Sequence, residues 1–308
     1  MRTLAFLFVV AATAVACDAG DASDPQPPTG ESDLLPVMPT TRVVYTDAFV
    51  SMRTDLPSMT NAQAATVARE IEDAYAFDAA YQSWTGRAEL APSLETAVVS
   101  YTLGKQVTGQ ASGGIAWDKD SFFVDESILM ADPGREAMYQ FVVAHELEHL
   151  EMERLGASEP AVPVYAFEGI ACMLGNWYVA LRNHPGARTW LHGDAVLLAT
   201  KTATDAEDMF TSFATGYGDA KKLYWYEHLG GFFFEFVRAH VISLQSEVLK
   251  RWGALTLDVA AGTAFERAFE KAYGTKLSDA KTAFAAHLTA TQNDARARFK
   301  GTVWEGYE

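Results

Sequence analysis

The sequence predicts an α+β protein in which a sheet-forming half precedes a helical half. Three observations carry that expectation. Strand-like runs are confined to residues before about 131, and from Asp132 onward apolar residues recur almost wholly at helical spacing. The chain has 308 residues, of which 49% are hydrophobic and 21% charged, enough for one large core and too apolar for a disordered chain. No internal repeat interrupts the pattern, so a small sheet packed beside helices is the expected architecture.

The elements follow in order. "TRVVYTDAFVSM" reads as a strand, and "TNAQAATVAREIEDAYAFDAAYQSW" reads as a helix that Thr60 or Asn61 can cap. "ETAVVSYTL" is a second strand, and "GGIAWDKDSFFVDESILM" is a hairpin turning at Asp118-Lys119-Asp120. A helix over about 133–155 opens at Pro133, whose missing N–H costs nothing in a first turn, and stops at Gly156. Further helices are expected over 164–183, from Tyr224 onward, and in "GTAFERAFEKAYG" and "SDAKTAFAAHLTATQ". Residues 184 to 222 show turns at "NHPGAR" and "YGDAKK" but little periodicity, and position alone would put His192 and Asp194 in a lid there. His184, His192, His240 and His287 carry no ligand pattern, and Cys172 reads as a small buried residue.

The first 16 residues have a basic start, an apolar run and small residues, the layout of an export signal. The run closes on "AVAC", which resembles the lipobox of bacterial lipoproteins, although Ala14 stands where leucine is usual. That resemblance implies lipidation at Cys17 and an envelope location, with residues 17–40, rich in Asp, Pro, Gly and Ser, as a flexible tether to a domain over 41–308. No later stretch has eighteen consecutive apolar residues, so the N-terminal anchor is the one expected membrane attachment. A formal charge of −16 argues against nucleic acid as a partner.

"VVAHELEHLEMERLG" carries the chemistry. His145 and His149, at i and i+4, lie about 40° apart around the axis and share a helix face. Two imidazoles one turn apart can grip a single ion, and HELEH fits the H-E-x-x-H pattern of zinc proteases. Glu146 flanks that face and can reach a water there without binding the ion. Glu148 flanks the other side and is expected to be solvated or to support the site from outside. A third histidine six residues after His149 is absent, because that position is Leu155. A carboxylate from the next helix is the alternative, and Glu168 of "VPVYAFEGIACML" stands 18 intervening residues beyond His149. Small Gly169 and Ala171 beside it would let that helix approach closely.

Position by position, His145, Glu146, His149, Glu168, Gly169 and Ala171 resemble the gluzincin metallopeptidases, which include thermolysin and the zinc aminopeptidases. The order of elements is similar to the bacterial peptidase MA-like domains, which implies a zincin-like fold. The resemblance implies Zn²⁺ held by His145, His149 and Glu168, Glu146 as general base, and hydrolysis of a peptide or protein substrate. It also implies a donor to the oxyanion from a Y-E-x-G-like segment. In "KKLYWYEHLGGFFFEFV" that is Tyr226, with His228 and Tyr224 as alternatives, because Leu229 departs from the family's glycine. An edge strand that pairs with substrate is expected in "SFFVDESILM". The aminopeptidase motif Gly-x-Met-Glu-Asn is absent, which favours an endopeptidase. Two rivals come from other classes. A non-catalytic zinc-binding scaffold could keep the fold, and a di-iron bundle would need a second E-x-x-H, which the chain lacks.

Overall fold

A computed structural model describes residues 41–91, 93–100, 102–103, 114–118, 120–126, 133–157, 159–182, 186–214, 216, 220–241 and 247–308. The expected export signal, Cys17 and the tether lie outside them. The described chain is α+β, as the sequence predicts. Its strands β1 (Arg42–Thr46), β2 (Val50–Thr54), β3 (Leu94–Val99), β4 (Gly114–Asp118) and β5 (Ser121–Asp125) form one five-stranded sheet in the order β1-β2-β3-β5-β4. The outer pairs β1/β2 and β4/β5 are antiparallel, whereas β2/β3 and β3/β5 are parallel.

The first expected strand is two. Asp47 folds the chain back, its Oδ1 accepting from the amides of Phe49 (2.7 Å) and Val50 (2.8 Å), so "TRVVYTDAFVSM" becomes a hairpin. The hairpin expected around Asp118-Lys119-Asp120 is present, but its arms are placed otherwise than expected. "SFFVD" is fully buried between β3 and β4, and the edge is β4.

Helix α1 (Asn61–Tyr81) begins at Thr60, whose side chain and Gln63 form a reciprocal capping box. Helix α2 (Pro133–Leu155) carries HELEH and ends at Gly156, whose φ of +89° suits glycine. Then come α3 (Val164–Arg182), α4 (Ala187–Ala199), α5 (Ala203–Ser212), α6 (Ala220–Phe236), α7 (Val248–Ala260), α8 (Phe265–Tyr273), α9 (Leu277–Ala290) and α10 (Ala295–Arg298). The stretch 184–222 thus holds two helices, and α6 starts four residues before Tyr224.

Helix α2 packs on β4 and β5, and α3 packs between α2 and α6. Helix α3 is long and apolar enough to cross a membrane, yet nearly all of it is buried as the centre of the helical core. Its crossing with α6 is a backbone contact. A Cβ at Gly169 would stand 2.6 Å from Gly230 C, and one at Gly230 would stand 2.6 Å from Tyr165 O. The glycine beside the candidate ligand therefore serves the approach of α6, not of α2 as expected. Against α2 the small residue is Gly175, where a Cβ would meet Phe141 at 2.7 Å.

Candidate metal centre

Neighbouring turns of α2 and α3 bring three donor atoms to one point. His145 Nε2 and His149 Nε2 are 3.1 Å apart, and Glu168 Oε2 stands 3.2 Å from the first and 3.3 Å from the second. All three side chains are buried. Two imidazole nitrogens and a carboxylate oxygen crowded in this way make a polar cluster that could hold one ion, which an apolar core does not otherwise reward. Donors held about 2.0–2.1 Å from a tetrahedral ion lie about 3.3 Å from one another, so the triangle fits one face of a zinc shell. The donor types, two nitrogens and one oxygen, also suit zinc.

Packing fixes the rings. His149 stacks on Phe167 at 4.3 Å between centroids, and His145 lies 5.6 Å from Phe141. Their Nδ1 atoms meet no hydrogen-bond partner among the described residues. Burial would raise the Glu168 carboxyl, but His149 and His145 beside it outweigh that and hold it well below the ordinary carboxylate range.

Glu146 lies on the same side of α2, with its Oε2 accepting from the Ala116 amide of edge strand β4 at 2.7 Å. Gly114 makes that approach possible, since a Cβ there would meet Val142 Cγ1 at 2.7 Å and Glu146 Cγ at 3.3 Å. Burial pushes the Glu146 carboxyl up to about 7; His145 opposes the shift, Glu168 adds to it, and the Ala116 amide opposes it. Glu148 is not solvated as expected. It is fully buried on another side of α2, where Gln82 Nε2 and Trp252 Nε1 donate to it.

The expected donors on α6 separate. The Tyr226 hydroxyl is committed to Asp208, which also pairs with Lys222, so the structure does not bring Tyr226 into the group. Tyr224 is exposed, its ring 4.5 Å from His228. His228 is 1% exposed and stacks on Phe141, the ring that also faces His145. Its Nδ1 lies 2.6 Å from Asp194 Oδ1. Asp194, expected in a lid, is instead buried, its Oδ2 accepting from Asn176 Nδ2 (3.0 Å) and Trp304 Nε1 (2.8 Å). A cleft of about 170 Å³ opens beside this pair, lined by Thr189, Trp190, Gly193, Asp194 and Tyr224.

Glu227 is an acidic residue of α6 that no motif in the sequence marks. Desolvation raises its carboxyl well above the ordinary value, with the charges of Glu168 and then Glu146 adding to the shift. Its one sequence signal is adjacency to Tyr226 on a helix whose crossing glycine, Gly231, lies one turn further on and meets Cys172. Cys172 itself is buried and its thiol raised by that burial, in keeping with a packing role. In comparisons with known proteins, no family model and no curated protein matches this chain.

Proposed function

We propose that the protein is a zinc-dependent peptidase of the gluzincin type, with a zincin-like fold. The observation that carries this reading is the triangle of His145 Nε2, His149 Nε2 and Glu168 Oε2, with edges of 3.1–3.3 Å and Glu146 on its flank. These three residues would hold the ion, which when bound supplies Lewis acidity toward a carbonyl and makes a water acidic near neutral pH.

The chain's own groups do the rest. Glu146, oriented through Oε2 by the Ala116 amide, accepts the proton of the attacking water and returns it to the leaving amine. Edge strand β4 leaves backbone groups on its outer side for an extended peptide, which would lie beside Glu146. His228, whose Nδ1 lies 2.6 Å from Asp194 Oδ1, is the better-placed donor to the oxyanion, because the Tyr226 hydroxyl is already engaged. A peptide or protein is accordingly the proposed substrate, and the export signal and the lipid anchor at Cys17 remain part of the proposal.

The test pairs the wild-type chain with Glu146→Gln. About one zinc per chain is expected in both, with peptide hydrolysis reduced by at least about a thousandfold only in the variant. Zinc in both proteins with no hydrolysis of any peptide pool by the wild type would favour the non-catalytic scaffold.

A further inference from the structure

A second group of ligand-type side chains lies in the core, on other sides of the same helix. Asp78 and Gln82 stand at i and i+4 at the end of α1, and Glu148 and Glu151 at i and i+3 on α2. Glu151 is about 200° around the axis from His149. Asp78, Glu148 and Glu151 are each 0% exposed, and one oxygen from each lies within 4.8 Å of the other two.

Three carboxyls in a dry interior need compensation, and the protein provides little. Both oxygens of Asp78 and both of Glu151 lack a hydrogen-bond donor. Gln82 supplies an independent pointer. It is 1% exposed, its Nε2 donates to Glu148, and its Oε1 is left without a donor. Five buried oxygens are therefore unfilled, in a group whose other donor contact is Trp252 Nε1 on Glu148 at 3.1 Å. Arg154 is the cation felt by Glu151, but its guanidinium is spread over Tyr75, Ala91, Ser93 and Asp120. Burying a polar oxygen without a partner, or a charge without a counter-charge, is costly enough that such groups are normally filled.

We propose that Asp78, Gln82, Glu148 and Glu151 form a structural site for a hard divalent cation, calcium, which ties α1 to the back of the helix carrying His145 and His149. The donors are all oxygen, which excludes the soft and borderline preferences of the zinc triangle. Calcium takes six to eight oxygens with carboxylates one- or two-handed, and the five unfilled oxygens plus Glu148 reach that range. Magnesium usually keeps several of its waters, which a fully buried cage does not favour. The site uses none of the three zinc-type ligands, so it stands or falls independently of peptide hydrolysis.

The experiment uses the full chain loaded with zinc. Elemental analysis should find about one calcium per chain in the wild type, lost in Asp78→Asn while zinc is retained. Terbium, a luminescent calcium substitute, should give saturable emission sensitised by Trp252 and Trp84, displaced by calcium. A hundredfold excess of calcium over its Kd should raise the Tm of calcium-free protein by about 5–10 °C. Calcium retained by Asp78→Asn would overturn the proposal. So would wild-type protein with no bound calcium, no saturable terbium signal and a Tm indifferent to calcium, the behaviour of carboxyls that simply share protons. The last three measurements need only the wild type, so a variant that fails to fold leaves the outcome decidable.

Discussion

Glu146 and Glu148 stand two residues apart on α2 and meet different chemistry. One flanks the ligand face and accepts from the edge strand, while the other is sealed against Gln82 and Trp252. A rotation of about 200° accounts for it. The same step separates the candidate donors on α6. Tyr226 turns toward Asp208, and His228 toward Asp194 and Phe141. His228→Ala should therefore lower kcat by about a hundredfold, whereas Tyr226→Phe should leave it near wild type. Steady-state kinetics on one peptide decides between them, and the reverse pattern would return the role to Tyr226. His145 and His149 were legible because i, i+4 spacing is a property of any helix, and Glu168 because its distance from them matches the family pattern the chain resembles. The sequence left Tyr226 and His228 both open, because spacing along α6 does not state how that helix is rotated against its neighbours.

At the scale of elements, Gly169 and Gly230 let two helix backbones touch, and that crossing fixes the rotation. Gly230→Ala should destabilise the fold by about 2–3 kcal/mol, read as a lower urea midpoint with the slope unchanged. A midpoint like that of the wild type would mean that the crossing relaxes freely. The turn at Asp47 makes a pH-dependent case. The Tyr45 hydroxyl first, then the Val50 amide, hold this carboxyl down at about 2, below its ordinary value. The folded carboxyl is the stronger acid, so its contribution is present above about pH 4 and lost as pH falls through about 2. Asp47→Ala should lower Tm at neutral pH, and the gap from wild type should close by about pH 2. A constant gap would show that the carboxylate's charge is not involved. That turn also explains why one strand was expected where two exist, since "VVYTDAFVS" is β-prone on both sides of Asp47. Helices α4 and α5 were harder to see. Helix α4 is preceded by Gly186, which offers no capping side chain, and α5 has Asp205 in place of the usual Glu or Gln of a capping box.

Across the whole molecule, helix α2 is the shared support of two polar clusters, one against α3 and the other against α1 and α7. The candidate metal centre and the groups around it draw on residues from Gly114 on β4 to Glu168 on α3, so the arrangement needs sheet and helical half packed together. Trp304, far along the chain, donates to Asp194 beside His228. The α+β class, α2 and α3 were readable from periodicity, whereas the edge position of β4 and the burial of Glu148 arise from long-range packing. Everything functional rests on whether His145, His149 and Glu168 act as one ligand set. Zinc titration of the folded wild-type chain beside Glu168→Ala measures that directly. About one tightly held zinc is expected in the wild type, with affinity at least about tenfold weaker in the variant. A folded wild type that takes up no zinc, or a variant that binds it equally well, would contradict it.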